Sequence, residues 1–122
     1  METVRNGDDR TVTLKLHANG AERLLLVTPA DAHIRSAGLG GSVRQIGNAD
    51  SSGKFTVSCT GRSCDGAELM IDLLNAKPVE VTIVGASNGL PPSAAPLIHA
   101  RPAFARPQYT PDETLTISHV SL

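Results

Sequence analysis

Residues 78–85 read PVEVTIVG, and the alternation is strict: Val79, Val81 and Ile83 fall on one face of an extended chain, Glu80 and Thr82 on the other. A period of two belongs to a strand with one dry and one wet face. Pro78 stands at the start of the run, where a missing donor does least harm. Beyond Gly85 the regularity stops. The segment GASNGLPPSAAPLIHARPAFARPQYTPD fills positions 85–112 and holds six of the chain's eight prolines. It then gives way to a second alternating run, ETLTISHV, at 113–120. So long a stretch without regular structure in a compact domain is either functional or a linker.

The same period recurs upstream. In TVTLKLH (11–17), Val12, Leu14 and Leu16 oppose Thr13, Lys15 and His17. ERLLLVTP (22–29) is apolar on both faces from Leu24 to Val27, which suits a central strand, and Asn19-Gly20 between the two runs signals a hairpin. HIRSAGLGGSVRQI (33–46) offers two short strands about Gly40-Gly41. FTVSC (55–59) turns Phe55, Val57 and Cys59 inward. AELMIDLLN (67–75) fits a strand through Leu69, Ile71 and Leu73, or a helical stripe through Ala67, Met70, Ile71 and Leu74; its shortness and turn-rich flanks favour the strand. In the last run Leu115 and Ile117 share a face, whereas Val120 and Leu122 lie on the other phase, so a bulge near Ser118-His119 is expected to restore one apolar face. About eight short strands and no convincing helix predict an all-β antiparallel sandwich, jelly-roll or immunoglobulin-like. The proline-rich segment is expected to be a crossover carrying the last strand to a distant edge.

A chain of 122 residues suffices for one core. Its 11 basic and 12 acidic residues are scattered without a block of one sign, which argues against nucleic acid or anionic lipid as a partner. No run approaches the roughly 20 apolar residues of a membrane span, so no direct membrane insertion is expected, and METVRNGDDR lacks the apolar core of a signal peptide. Strand-like sequence begins directly after Met1, as in a soluble domain cut from a longer chain.

Residues for chemistry are sparse. His17, His33, His99 and His119 are dispersed, and the one local pair, Asp31 and His33, whose i, i+2 spacing would place both on the same side of a strand, falls short of the three convergent ligands a metal site needs. Gly38-Leu39-Gly40-Gly41-Ser42 lacks the following helix of a phosphate-binding loop and reads as a hairpin turn. No catalytic, metal-binding or cofactor-binding residue is assigned, and no cofactor is expected. Cys59 and Cys64 flank the turn Thr60-Gly61-Arg62-Ser63. Across a hairpin mouth they can come within disulfide range, which would imply an oxidising compartment; two free thiols or a metal ligand pair are the alternatives.

The segment from FTVSCTGRSCDGAELMIDLL through the last residue resembles the carboxy-terminal region of bacterial, membrane-associated zinc peptidases of the twenty-eighth metallopeptidase family, in the aminopeptidase-like MH clan. The residues that carry the resemblance are Gly85, Gly89, Leu90 and Pro91, then Pro102 and Pro107, then Asp112, Thr114 and Leu115. The resemblance covers about the last seventy residues well and the first fifty loosely. It implies that residues 1–122 are a non-catalytic β-rich domain on the periplasmic side of a membrane peptidase. The two zinc ions and their ligands would lie upstream, outside this sequence, and the upstream peptidase domain would be the partner. A carbohydrate- or ligand-binding module is the competing reading, weakened by the lack of Trp and the single Tyr.

Residues 90–111 fully extended would reach roughly 70 Å, far beyond the roughly 10 Å between packed sheets. The segment is therefore expected to wrap over the sandwich, with Leu97, Ile98 and Phe104 as apolar anchors. It either packs only on its own domain or docks onto the peptidase domain, with Arg101, Phe104, Arg106 and Tyr109 as the contacts.

Overall fold

The computed structural model describes residues 1–46, 54–75, 77–105 and 111–122. The eight runs become strands, and residues at the start of the chain add a ninth: β1 (Glu2–Asn6), β2 (Asp9–Lys15), β3 (Arg23–Val27), β4 (Ile34–Leu39), β5 (Ser42–Gln45), β6 (Thr56–Thr60), β7 (Glu68–Leu73), β8 (Glu80–Asn88) and β9 (Glu113–Ser121). They form two antiparallel sheets. The first has the order β1-β2-β7-β4-β5, the second β6-β3-β8-β9. The fold is the all-β sandwich that the period of two predicts.

Between the sheets lie the residues that the alternation selects. Val12, Leu14, Leu16, Leu69, Ile71 and Leu73 from the first sheet meet Leu24, Leu26, Val79 and Val81 from the second, and all are buried. Each such side chain contributes about 1.5–3 kcal/mol on removal from water. Residues 68–73 are a strand, paired with both β2 and β4. β3 is central, between β6 and β8, in keeping with its two apolar faces. Buried Arg10 lies at the end of the β2–β7 ladder opposite Leu73, and its guanidinium donates to the Lys77 carbonyl. On the outer face of the first sheet, Asp72 accepts hydrogen bonds from the Ser36 and Thr11 hydroxyls. These bonds, Ser36 first and Thr11 next, outweigh the opposing effect of burial and, with a lesser contribution from the Arg35 charge, hold its carboxyl below the usual carboxylate range.

Several expectations need correction. Asn19-Gly20 is a tight turn, with φ 48° and 87° and the Ala21 N–H donating to the Ala18 carbonyl at 2.8 Å, but the strands it joins lie in different sheets and do not form a hairpin. The local turn chemistry is the same in both cases; only the two-sided burial of β3 draws the chain across. Asp31 and His33 sit in the loop before β4, not on a strand. β9 has no bulge: it pairs with β8 in one unbroken register from Glu80↔Ser121 to Asn88↔Glu113, and the irregular step in the sandwich lies in β4 between Ile34 and Ser36. Finally, because β9 lies beside β8, the proline-rich segment is a long hairpin connection and not a crossover.

The crossings between sheets are elsewhere, and one is covalently closed. β6 belongs to the second sheet and β7 to the first, and the disulfide Cys59–Cys64 bridges the corner between them with a Cα separation of 5.6 Å. The bridge therefore spans a sheet-to-sheet turn, not a hairpin mouth. Cys64 is fully buried in the core.

The unbroken β8–β9 register depends on Gly85. A Cβ at this buried position would lie 2.7 Å from Thr116 Oγ1 and 3.2 Å from Ala21 Cβ. We predict that Gly85→Ala lowers stability by about 1–3 kcal/mol, and that Thr116→Ala in the same chain recovers most of the loss. Urea midpoints measure both, and a neutral Gly85→Ala would refute the close approach. Reducing the disulfide, or replacing both cysteines with Ala, is expected to cost about 2 kcal/mol, given the short loop closed. Calorimetric unfolding with and without reductant checks this, with an unchanged transition as the contrary result.

Candidate functional site

Of the segments that the sequence singles out, the connection between β8 and β9 is the one with a defined architecture and exposed apolar side chains. Its base is a clamp. Gly89, at φ 90°, turns the chain out of β8, and its N–H donates to the Asp112 carbonyl at 2.8 Å. The Thr114 hydroxyl donates to the Gly89 carbonyl at 2.7 Å. Arg101 reaches back across the loop with Nη1 and Nη2 at 2.9 and 3.1 Å from the two Asp112 carboxylate oxygens. This pairing holds the guanidinium still more firmly in its charged form. Behind the clamp, Arg23 pairs with Glu113 at 3.3 Å and Asn88 donates to Glu22, tying the base of the loop to β3.

The prolines shape the loop locally. Pro91 and Pro92 open a 3-10 turn over Pro92–Ala94, closed by the Ala94 N–H on the Pro91 carbonyl at 2.9 Å. Pro96 falls in the first turn of a short helix, α1 (Ala95–Ala100), where its missing N–H has no partner to lose. The Arg101 and Ala105 N–H groups bond to the Ile98 and Pro102 carbonyls at 3.2 and 2.8 Å. Residues 91–105 are thus a chain of hydrogen-bonded turns.

The loop does not wrap over the sandwich through its apolar residues. Leu97, Ile98 and Phe104 are 73%, 46% and 89% exposed, and no residue of α1 is buried. Of the four expected contacts, Phe104 projects into solvent, Arg101 is committed to Asp112, and Arg106 and Tyr109 lie outside the described residues. Gly89, Asp112 and Thr114, all part of the quoted resemblance, meet in the clamp. The Arg101–Asp112 pair had no signal in the sequence, because eleven residues separate the partners and no period relates them.

The remaining candidates carry no chemistry together. Among the described residues no three His, Cys, Asp or Glu side chains converge as metal ligands. His33 is exposed, at φ 48°. His119 is an outward-facing strand residue, 3.2 Å from the Thr82 hydroxyl and 3.8 Å from Glu80. The Gly40-Gly41 turn joins β4 to β5, with φ 59° and 86°, values that favour glycine. A cleft of about 330 Å³ opens between the sheets, lined by Leu14, Leu16, Leu24, Ile83 and Val120 with Ser118. No Phe, Tyr or Trp ring lines it; the one ring in its lining is the His17 imidazole. No described helix is long and apolar enough to cross a membrane.

Compared with protein-family profiles, with curated proteins and with solved structures, the chain matches none.

The clamp makes a specific prediction. Asp112→Ala should free Arg101 and let the loop open, so that thermolysin cuts within residues 95–105 a few-fold faster than in the parent chain while the melting temperature barely moves. Equal cleavage rates would show that the ion pair does not order the loop.

Proposed function

We propose that this chain is a non-catalytic docking module, and that its partner is the catalytic domain of a zinc peptidase of the family its carboxy-terminal part resembles. The observation that carries the reading is the exposure of Leu97, Ile98 and Phe104 on a loop whose base is already clamped. Apolar side chains held out in water by an ordered segment mark an interaction surface more often than a linker does. Ordering in advance also lowers the entropy lost when the loop is covered. The disulfide supports an oxidising, extracytoplasmic setting.

Docking concentrates its free energy in a few central, well-packed side chains, and Phe104 is the largest exposed apolar side chain among the described residues of the loop. Phe104→Ala is expected to weaken association with the peptidase domain by about tenfold or more in titration calorimetry. Since the ring touches little of its own domain, the melting temperature should stay within about 2 °C of the parent. Undiminished association would remove the loop from the interface, and unfolding of the variant would make Phe104 part of the scaffold.

A further inference from the structure

β9 is the outermost strand of its sheet, and its free side is unusually open. The Val79 and Leu122 backbones exchange both hydrogen bonds, at 3.2 and 2.8 Å, and the Gly89 N–H reaches Asp112. Antiparallel pairs alternate between bonded and non-bonded positions, so the even-numbered residues of β9 spend their backbone groups on β8. Glu113, Leu115, Ile117, His119 and Ser121 therefore direct their N–H and C=O groups away from the sheet. Among the described residues none of these groups has a backbone partner.

Natural edges are blunted by shortness, lysine, proline, bulges or inward-pointing charge. The strand ETLTISHVS runs nine residues in unbroken register with no lysine, proline or bulge, and its one carboxylate, Glu113, stands at the first position. The other edges are shorter: β1 has five residues and carries Glu2 and Arg5, β5 has four with Arg44, and β6 has five. Leu115 and Ile117 are moreover 57% and 64% exposed on the outer face.

We infer that β9 is a self-association edge: two copies of the chain pair their β9 strands antiparallel about a two-fold axis at Thr116. The sequence of the strand selects both the occupant and the register. Pairing about Thr116 sets Leu115 against Ile117 of the second copy, and Ile117 against its Leu115. Glu113 then faces His119 of the second copy, and His119 its Glu113. On the inner face Thr114 meets Ser118 and Thr116 meets Thr116. Apolar faces apolar, acid faces imidazole and hydroxyl faces hydroxyl, the combinations that stabilise cross-strand neighbours.

Neighbouring registers lose this match. Centring on Ile117 puts Leu115 against His119, and centring on Leu115 puts Glu113 against Ile117. The register about Thr116 also ends cleanly, because Ser121 would next face Pro111, which has no N–H to give. Four bonded pairs supply about eight hydrogen bonds. The row Leu25, Val84 and Ile117 on one copy continues into Leu115 and Ala86 of the other, covering the two most exposed aliphatic side chains of the second sheet's outer face. The pairing is independent of the docking of the loop.

The test uses the intact chain, in which both native cysteines are bridged. Leu115→Cys and Ile117→Cys are each placed on the exposed face, where neither disturbs the core. Directly opposed residues of a bonded pair lie about 5.5 Å apart, within disulfide range. Under mild oxidation, a mixture of the two variants should give a linked dimer at least about tenfold faster than either variant alone. Sedimentation equilibrium should show a dimer of the parent chain, weakened about tenfold or more by Ile117→Lys or Leu115→Lys. Preferential self-linking of one variant would overturn the register. A parent chain that stays monomeric up to about 1 mM, or a dimer indifferent to both lysine substitutions, would overturn the edge itself.

Discussion

Gly85 has no side chain, and the inner face of the β8–β9 pair is built around the space this leaves. Thr116 Oγ1, Ala21 Cβ and Leu24 Cδ2 border it. Farther along the same ladder Val120 and Leu122 lie inward with Val81 and Val79. These contacts fix the register, since a slip of one residue would turn every side chain of β9 to the opposite face. β9 carries two apolar pairs on opposite phases, Leu115 with Ile117 and Val120 with Leu122, and a regular strand can bury only one of them. The pair nearer the core goes inside. The other remains in water, a local conflict between side-chain burial and backbone regularity that the fold resolves in favour of the backbone.

That conflict explains where the sequence could be read and where it could not. β2, β7 and the first half of β8 carry most of their apolar residues on one phase, so their facing residues, from Val12 to Val81, follow from the period of two. β9 presents both phases, and the expected bulge was one geometrical solution to a mismatch that the chain solves by exposure. Sheet membership was not legible at Asn19-Gly20, where a tight turn serves equally well within a sheet or between sheets. The same limit applies to Cys59 and Cys64: their spacing permits a bridge, but whether it spans a hairpin or a corner depends on the strands' partners. At the candidate site Phe104 could be picked out by type, whereas the clamp of Gly89, Arg101, Asp112 and Thr114 exists only once β8 and β9 are neighbours.

The loop between these strands shows how proline can order a segment without a core beneath it. Fixed φ angles and short-range turn bonds lower the entropy that ordering costs. The clamp then brings together the ends that β8 and β9 have already placed side by side. Little apolar burial is needed, and Leu97, Ile98 and Phe104 remain available to a partner.

The two outer faces of the sandwich differ in kind. At the centre of the first sheet, Thr11, Asp72 and Ser36 form a hydroxyl–carboxylate–hydroxyl row held in its ionised form. At the centre of the second, Leu25, Val84 and Ile117 form an aliphatic row. Covering the first would strand a carboxylate away from water, whereas covering the second would release ordered water from hydrocarbon. The cost of covering is therefore uneven: Val4, Met70 and Val43 also lie exposed on the first sheet's outer face, but a surface seated there would have to leave Asp72 wet or supply it a hydrogen bond.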